Sequence, residues 1–142
     1  MKKILGIDYG KVITGLSISD SSKVFSFGLE AIPTKKLMNF LDIFIVNEQI
    51  EKIVIGLPKT LNNKNSFIEK YIQKFIYNFH RKYPKILIDR LDERFTSKIA
   101  FYTMIELGIK KKKRRKKNIL NKISATLILQ SYLEKKRKKI NL

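Results

Sequence analysis

The chain predicts an α/β domain: a mixed five-stranded sheet, its first three strands an antiparallel meander, with helices packed on its faces. Three observations lead there. Apolar or alternating runs recur at Lys3–Asp8, Val12–Ser19, Val24–Ile32, Lys52–Ile55 and Lys85–Asp89, each short enough for a strand. Apolar residues at helical spacing fill the stretches between and after the later runs. With three strands first and helices alternating with strands afterwards, a sheet covered by helices is the arrangement that buries every apolar face. At 142 residues, 1–142 has room for one domain and one core.

Each element has its own signal. Lys3–Asp8 ends in Asp-Tyr-Gly, and Gly15, Leu16, Ser17 and Ile18 continue the alternation of its hairpin partner. Pro33-Thr34 opens a helix carrying Leu37, Phe40, Leu41, Phe44 and Ile45 on one face, ending near Glu48. Lys52–Ile55 is β-branched and stops at Gly56-Leu57-Pro58, so it reads as a buried strand leading into a polar loop over Lys59–Asn65. Ser66 with Glu69 forms a capping-box pattern ahead of Ile68, Ile72, Phe75, Ile76 and Phe79, and Pro84 stops that helix. Asp92–Thr96 reads as a turn, Ser97–Leu107 as a third helix closed by Gly108, and Ile119–Leu133 as a long last helix.

Composition narrows the function classes. Hydrophobic residues are 44% and aromatics 11%, enough apolar surface to fold. Without cysteine there is neither a disulfide scaffold nor a thiolate metal site, and a single histidine, His80, excludes His-rich sites. The apolar stretch Ile4–Ile7 is cut by Asp8, too short for a signal core or a membrane span, so a cytoplasmic location and no membrane partner are expected. Net charge is +19. Of 31 Lys and Arg, thirteen lie in two runs, a basic loop at Lys110–Lys117 and a basic tail starting with Lys135–Lys139, which leaves eighteen against twelve acids, about +6, elsewhere. A field so concentrated attracts polyanions, nucleic acid first, and ties affinity to salt. A solubilising tail or a codon bias toward lysine is the plainer explanation, stronger for the tail than for the internal run.

The acids suggest the chemistry. Asp8 closes an apolar strand just before Tyr9-Gly10, where backbone can approach a ligand; an Asp before a turn glycine is equally ordinary in a hairpin, so other carboxylates must decide. Asp92-Glu93-Arg94 follows the last short strand in the same way, an acidic pair beside an arginine able to hold a phosphate, or else a solvated loop ion pair. Two strand-end carboxylates in a basic domain fit a site where Mg²⁺ or Mn²⁺, held by oxygen ligands, assists phosphodiester hydrolysis. Tyr9 and Phe95, each beside a candidate acid, could stack on an unpaired base, although core packing is the commoner fate of such a Phe.

Four segments then carry a resemblance: Gly6-Ile7-Asp8-Tyr9-Gly10, Ile55-Gly56-Leu57-Pro58, Asp92-Glu93-Arg94-Phe95-Thr96-Ser97, and Ala125-Thr126-Leu127-Ile128-Leu129-Gln130-Ser131-Tyr132-Leu133. In order and spacing, over nearly the whole chain, they resemble the YqgF-type pre-16S rRNA nuclease family, also called Holliday junction resolvases. The resemblance implies an RNase H-like fold and a metal-dependent nuclease acting at the 5′ end of the 16S rRNA precursor, with three acidic residues at its centre. Asp8 and Glu93 match two of them. The third position, four residues before Ala125, holds Asn121, whose neutral amide binds hard cations less well than a carboxylate. The chain also departs after Gly10, where Lys11-Val12-Ile13-Thr14 replaces the usual Thr/Ser-Lys-Arg-like stretch, and after Pro58, where Asn62-Asn63 replaces an Asp-Gly turn.

The expected site is therefore Asp8, Glu93 and Asn121 as catalytic and metal-holding residues, with Lys11, Arg94, Lys110, Lys111, Lys112, Lys113, Arg114, Arg115, Lys116 and Lys117 gripping phosphates. Expected partners are pre-rRNA or branched DNA and pre-ribosomal particles, the chain being a monomer or a weak homodimer; junction resolution would favour the dimer. Two alternatives stand beside a pre-rRNA nuclease: a Holliday junction resolvase, and a non-catalytic RNA binder weakened by Asn121. The Gly-Ile-Asp-x-Gly start also opens actin-like ATPases and sugar kinases, but these need two such domains, and the length argues against them.

Overall fold

The computed structural model describes residues 2–58, 67–92 and 113–140, with side chains given over 118–138 of the last helix. Strands β1 (Lys3–Asp8), β2 (Ile13–Ser19) and β3 (Ser26–Pro33) come first, then a single 3₁₀ turn, Thr34–Lys36. Helix α1 (Leu37–Asn47), strand β4 (Ile50–Leu57), helix α2 (Glu69–Lys82), strand β5 (Leu87–Asp92) and helix α3 (Lys113–Ile140) follow.

The five strands form one sheet in the order β3-β2-β1-β4-β5. β1, β2 and β3 are antiparallel neighbours, and β4 and β5 run parallel to β1. The expected mixed sheet with an antiparallel start is thus the observed one. Its central strand is β1, flanked by β2 and β4, so the carboxyl end of β1 lies mid-edge.

The apolar alternation assigns the two faces. Leu5, Ile7, Leu16, Ile53 and Ile55 pack with Leu37 and Leu41 of α1 and Ile72, Phe75 and Phe79 of α2. Ile4, Val54 and Leu91, one residue out of phase, pack with Ile128, Leu129, Tyr132 and Leu133 of α3. β1 and β4 are buried on both faces, which is why they read as continuous apolar runs rather than as alternation.

Several boundaries move, each for a local reason. β3 starts at Ser26, not Val24, because the Asp20 carboxylate accepts the amides of Val24 (2.8 Å) and Phe25 (3.1 Å), and Lys23 turns the chain with φ 60°. β5 starts at Leu87 because the Ile86 amide donates to the Tyr83 carbonyl, extending the turn after Pro84. β4 is longer than Lys52–Ile55 at both ends. Helix α2 starts at Glu69 with Ile68 before it, and the Glu69 carboxylate is engaged by Arg90; Ser66, the expected cap, lies outside the described residues. The basic segment expected as a loop is helical from Lys113, so Lys113–Lys117 form the first turns of α3, and the second basic run continues that helix to Ile140. The helix expected over 97–107 lies outside the described residues.

Candidate active site

Asp8 is the last residue of β1 and is half-buried. By strand alternation it points to the same side as Ile4 and Gly6, the side covered by α3. The turn beyond it is held by a closed relay: the Gly10 amide donates to the Thr14 hydroxyl (3.4 Å), Thr14 bonds Thr34 (2.7 Å), and Thr34 donates to the Gly10 carbonyl (2.6 Å). Gly10 is required there, since a Cβ would lie 2.0 Å from the Ile13 carbonyl oxygen. Tyr9 turns to the opposite face, its ring 5.6 Å from that of Phe75, and burial pushes its phenol pKa up. Tyr9 is thus half-buried against the α1–α2 core, and Phe95, the other ring expected to stack, lies outside the described residues.

A notch in the sheet seats the α3 backbone at Asn121. Across the antiparallel ladder Asp8 pairs with Gly15, and a Cβ on Gly15 would come within 1.9 Å of the Asn121 backbone oxygen. A residue with any side chain at position 15 would push α3 away. The notch continues along the helix: Gly6 faces the Ala125 carbonyl and the Leu129 side chain, Gly28 faces Lys122 and Thr126, and the buried Ser17 hydroxyl donates to the Ala125 carbonyl at 2.7 Å. Two further bonds fix the helix along its length, from the Ser26 amide to Gln130 (2.9 Å) and from Gln130 to the Val24 carbonyl (3.2 Å). Small residues on β1, β2 and β3 thus let helix backbone touch sheet backbone, bringing Asn121 to the strand position opposite Asp8.

The third expected site residue, Glu93, lies outside the described residues, as do Arg94, Lys110, Lys111 and Lys112. What precedes Glu93 is defined: Asp92 closes β5 at the level of Leu57, on the same edge of the sheet as Asp8. β5 is anchored there by Arg90, whose guanidinium donates to both Glu69 oxygens (2.8 and 2.7 Å) and to the carbonyls of Ile55 (3.2 Å) and Gly56 (2.9 Å). The Arg90 fork holds the Glu69 carboxyl below its ordinary range against the opposing effect of burial. Lys11 is exposed, its ammonium 5.6 Å from the centre of the Tyr71 ring. Among the described residues no three acidic or imidazole side chains gather closely enough to hold a metal ion.

A second polar cluster ties α3 to the sheet away from Asp8. Tyr132 donates to Asp89 at 2.5 Å, Lys52 donates to Tyr132 at 2.7 Å, and the Tyr132 hydroxyl pKa is raised by burial and by Asp89. This cluster, the Arg90–Glu69 pair and the Thr14–Thr34 relay were not anticipated. Their signal was present as charged or hydroxyl residues inside strands, Thr14, Lys52, Asp89 and Arg90, which a tally of apolar alternation passes over.

A mixed sheet in this order, with helices on both faces and an acid ending the central strand, defines an RNase H-like α/β protein. The solved structure of the fowlpox virus Holliday junction resolvase matches with a TM-score of 0.52 at 14% identity, over 94% of this chain and 99% of that one, a likeness of fold. No described helix is long and apolar enough to cross a membrane.

The family is more specific. Residues 2–135 match RuvX, described as Holliday junction resolvase, and the chain belongs to that family. A relative from Bacteroides thetaiotaomicron is 44% identical over 137 residues, covering 96% of this chain and 99% of its own. One from Christiangramia forsetii is 43% identical over 133 residues, covering 94% and 98%. Both bear the name "Putative pre-16S rRNA nuclease".

Proposed function

We propose that this chain is a metal-dependent nuclease that hydrolyses a phosphodiester bond of precursor 16S rRNA, at its 5′ end, in the cytoplasm. The observation that carries the reading is the glycine notch, which seats α3 so that Asn121 lies against the strand position paired with Asp8. A fold that needs glycine at positions 6 and 15 to seat one helix against its first two strands is organised around that junction. The names of the relatives supply the substrate.

The donors fit a hard divalent cation. Asp8 offers a carboxylate, Asn121 an amide oxygen, and both are oxygen ligands of the kind Mg²⁺ or Mn²⁺ takes. Glu93 joins them in the proposal because it follows Asp92, on the edge where Asp8 ends its strand. A bound ion would polarise the scissile phosphate and offset its charge against the acids. Asp8 would hold that ion from the central strand, and the Thr14–Thr34 relay fixes the turn that follows Asp8. Lys11, Arg94 and Lys110–Lys117 are the proposed phosphate contacts.

The placement of Lys113–Lys117 supports a binding role. Cations in the first turns of a helix oppose its dipole, and lysines four apart repel, each at a cost of a few tenths of a kcal/mol. Such a run weakens the helix but leaves a strongly positive terminus about one to two turns from Asn121, suited to a polyanion.

A non-catalytic RNA binder is the second reading, favoured by the amide at position 121 in place of an acid. Cleavage decides. Incubated with Mg²⁺ or Mn²⁺, the chain should cut a 5′-extended 16S precursor and leave a four-way DNA junction much less affected, and Asp8→Asn should abolish cutting while still binding RNA. Cleavage of the junction alone would move the substrate to DNA. Binding without cleavage of either would establish the binder.

A further inference from the structure

Tyr9 packs against the core, and a more exposed aromatic surface lies at the same rim. Phe67, just before α2, is 73% exposed, and the ammonium of Lys70 lies 4.3 Å from its ring centre. Tyr71, one helical turn on and half-buried, has its ring centre 6.4 Å from that of Phe67, and Lys11 lies over it at 5.6 Å. Lys11 belongs to the turn that begins at Asp8, so at most about 10 Å of chain separates the two residues. Two adjacent rings, each with a lysine beside it, therefore border the β1–β2 turn on the α2 side, while Asp8 faces the α3 side of the same edge.

The one acid in this stretch is hidden. Glu69, between Phe67 and Tyr71 in sequence, is buried and engaged by Arg90, so it does not oppose a phosphate at the surface. An exposed phenylalanine on its own is ordinary. A tyrosine one turn away and two lysines that supply positive charge make a surface complementary to a base and its flanking phosphates.

We propose that Phe67 and Tyr71 form a stacking platform for an unpaired base of a single-stranded nucleic acid, with Lys11 and Lys70 holding the adjacent phosphates. The platform deepens the nuclease reading by naming the form of substrate: a strand end or unpaired segment crosses the rim here on its way to Asp8. Duplex bases, already stacked on one another, do not reach it.

The test is direct binding, in EDTA so that cleavage plays no part, of a short single-stranded RNA carrying 2-aminopurine and of a blunt RNA duplex. Wild type should bind the single strand and quench the probe by stacking. Phe67→Ala should abolish the quenching and weaken single-strand binding roughly 5- to 100-fold, with duplex binding unchanged. Phe67→Tyr should restore both. Phe67 is exposed, so its loss leaves the fold intact; Tyr71→Ala, checked by its melting transition, should act in the same direction. Unchanged quenching in Phe67→Ala, or equal weakening on single strand and duplex, would overturn the platform. Loss of quenching in a chain that cuts no RNA would support the platform while the nuclease reading fails.

Discussion

The two faces of the sheet are built on different principles. On the α1–α2 side the contacts are bulky: Leu5, Ile7, Leu16, Ile53 and Ile55 meet Leu41, Phe75 and Phe79, and the rings of Phe75, Phe79 and Tyr83 follow one another at 5.8 and 5.0 Å. On the α3 side the contacts nearest Asp8 are minimal, with Gly6, Gly15, Ser17 and Gly28 letting helix backbone approach strand backbone. Bulk gives stability, since each large buried side chain removes apolar area from water. Close approach gives position, since it fixes where a helix residue lies to within the width of a methyl group. The α3 face has a smaller bulky core of its own around Ile128, Leu129 and Leu133, but beside Asp8 it is close approach that sets position, and substitutions should separate the two.

The largest effect should come from the bulky face. Phe79→Ala empties a fully buried site and should cost about 3–5 kcal/mol in denaturant unfolding. Cleavage per folded molecule should stay near wild type. A large loss of specific activity there would mean that the faces are not independent.

Gly15→Ala probes the other face. Its methyl would stand 1.9 Å from the Asn121 carbonyl oxygen, so α3 must move. Stability should fall by about 1–3 kcal/mol, while cleavage, which depends on sub-ångström placement, should fall by about 100-fold. The contrast with Phe79→Ala is in the ratio of activity lost to stability lost.

Glu69→Gln acts at the seam between β5 and α2. Because Arg90 holds the Glu69 carboxyl below the unfolded value of about 4.3, its stabilisation is complete above that value and disappears as pH falls through the lower folded one. At pH 7 the variant should be less stable by about 1–2 kcal/mol. Below about pH 4 the gap to wild type should close, which a pH series of unfolding curves would reveal.

The difference between the faces also marks what was legible in the sequence. Bulk is written in hydrophobic periodicity: Leu37 and Leu41 of α1, Ile72, Phe75 and Phe79 of α2, and the strands that receive them all follow from spacing. Position is written in small residues whose meaning depends on what lies across from them. Gly15 reads as one member of an alternating strand, and nothing local says that Asn121, over a hundred residues later, rests on it. Asn121 was found by counting from Ala125, a matter of resemblance rather than periodicity. Lys113–Lys117 read as loop because charge repulsion disfavours a helix, and the apolar continuation from Ile119 to Leu133 overrides that preference. The Glu69 carboxylate pairs with Arg90 of β5, a long-range contact that the local capping pattern does not announce.

A manganese titration of wild type, Asn121→Asp and the double variant Asp8→Asn/Asn121→Asp tests most directly whether position 121 shares an ion with Asp8. A carboxylate there adds a full negative charge to the site, so Asn121→Asp should bind Mn²⁺ at least about tenfold more tightly, and Asp8→Asn in that background should remove the gain. Equal affinity in wild type and Asn121→Asp would place position 121 out of reach of the ion that Asp8 holds, and the glycine notch would then be packing alone.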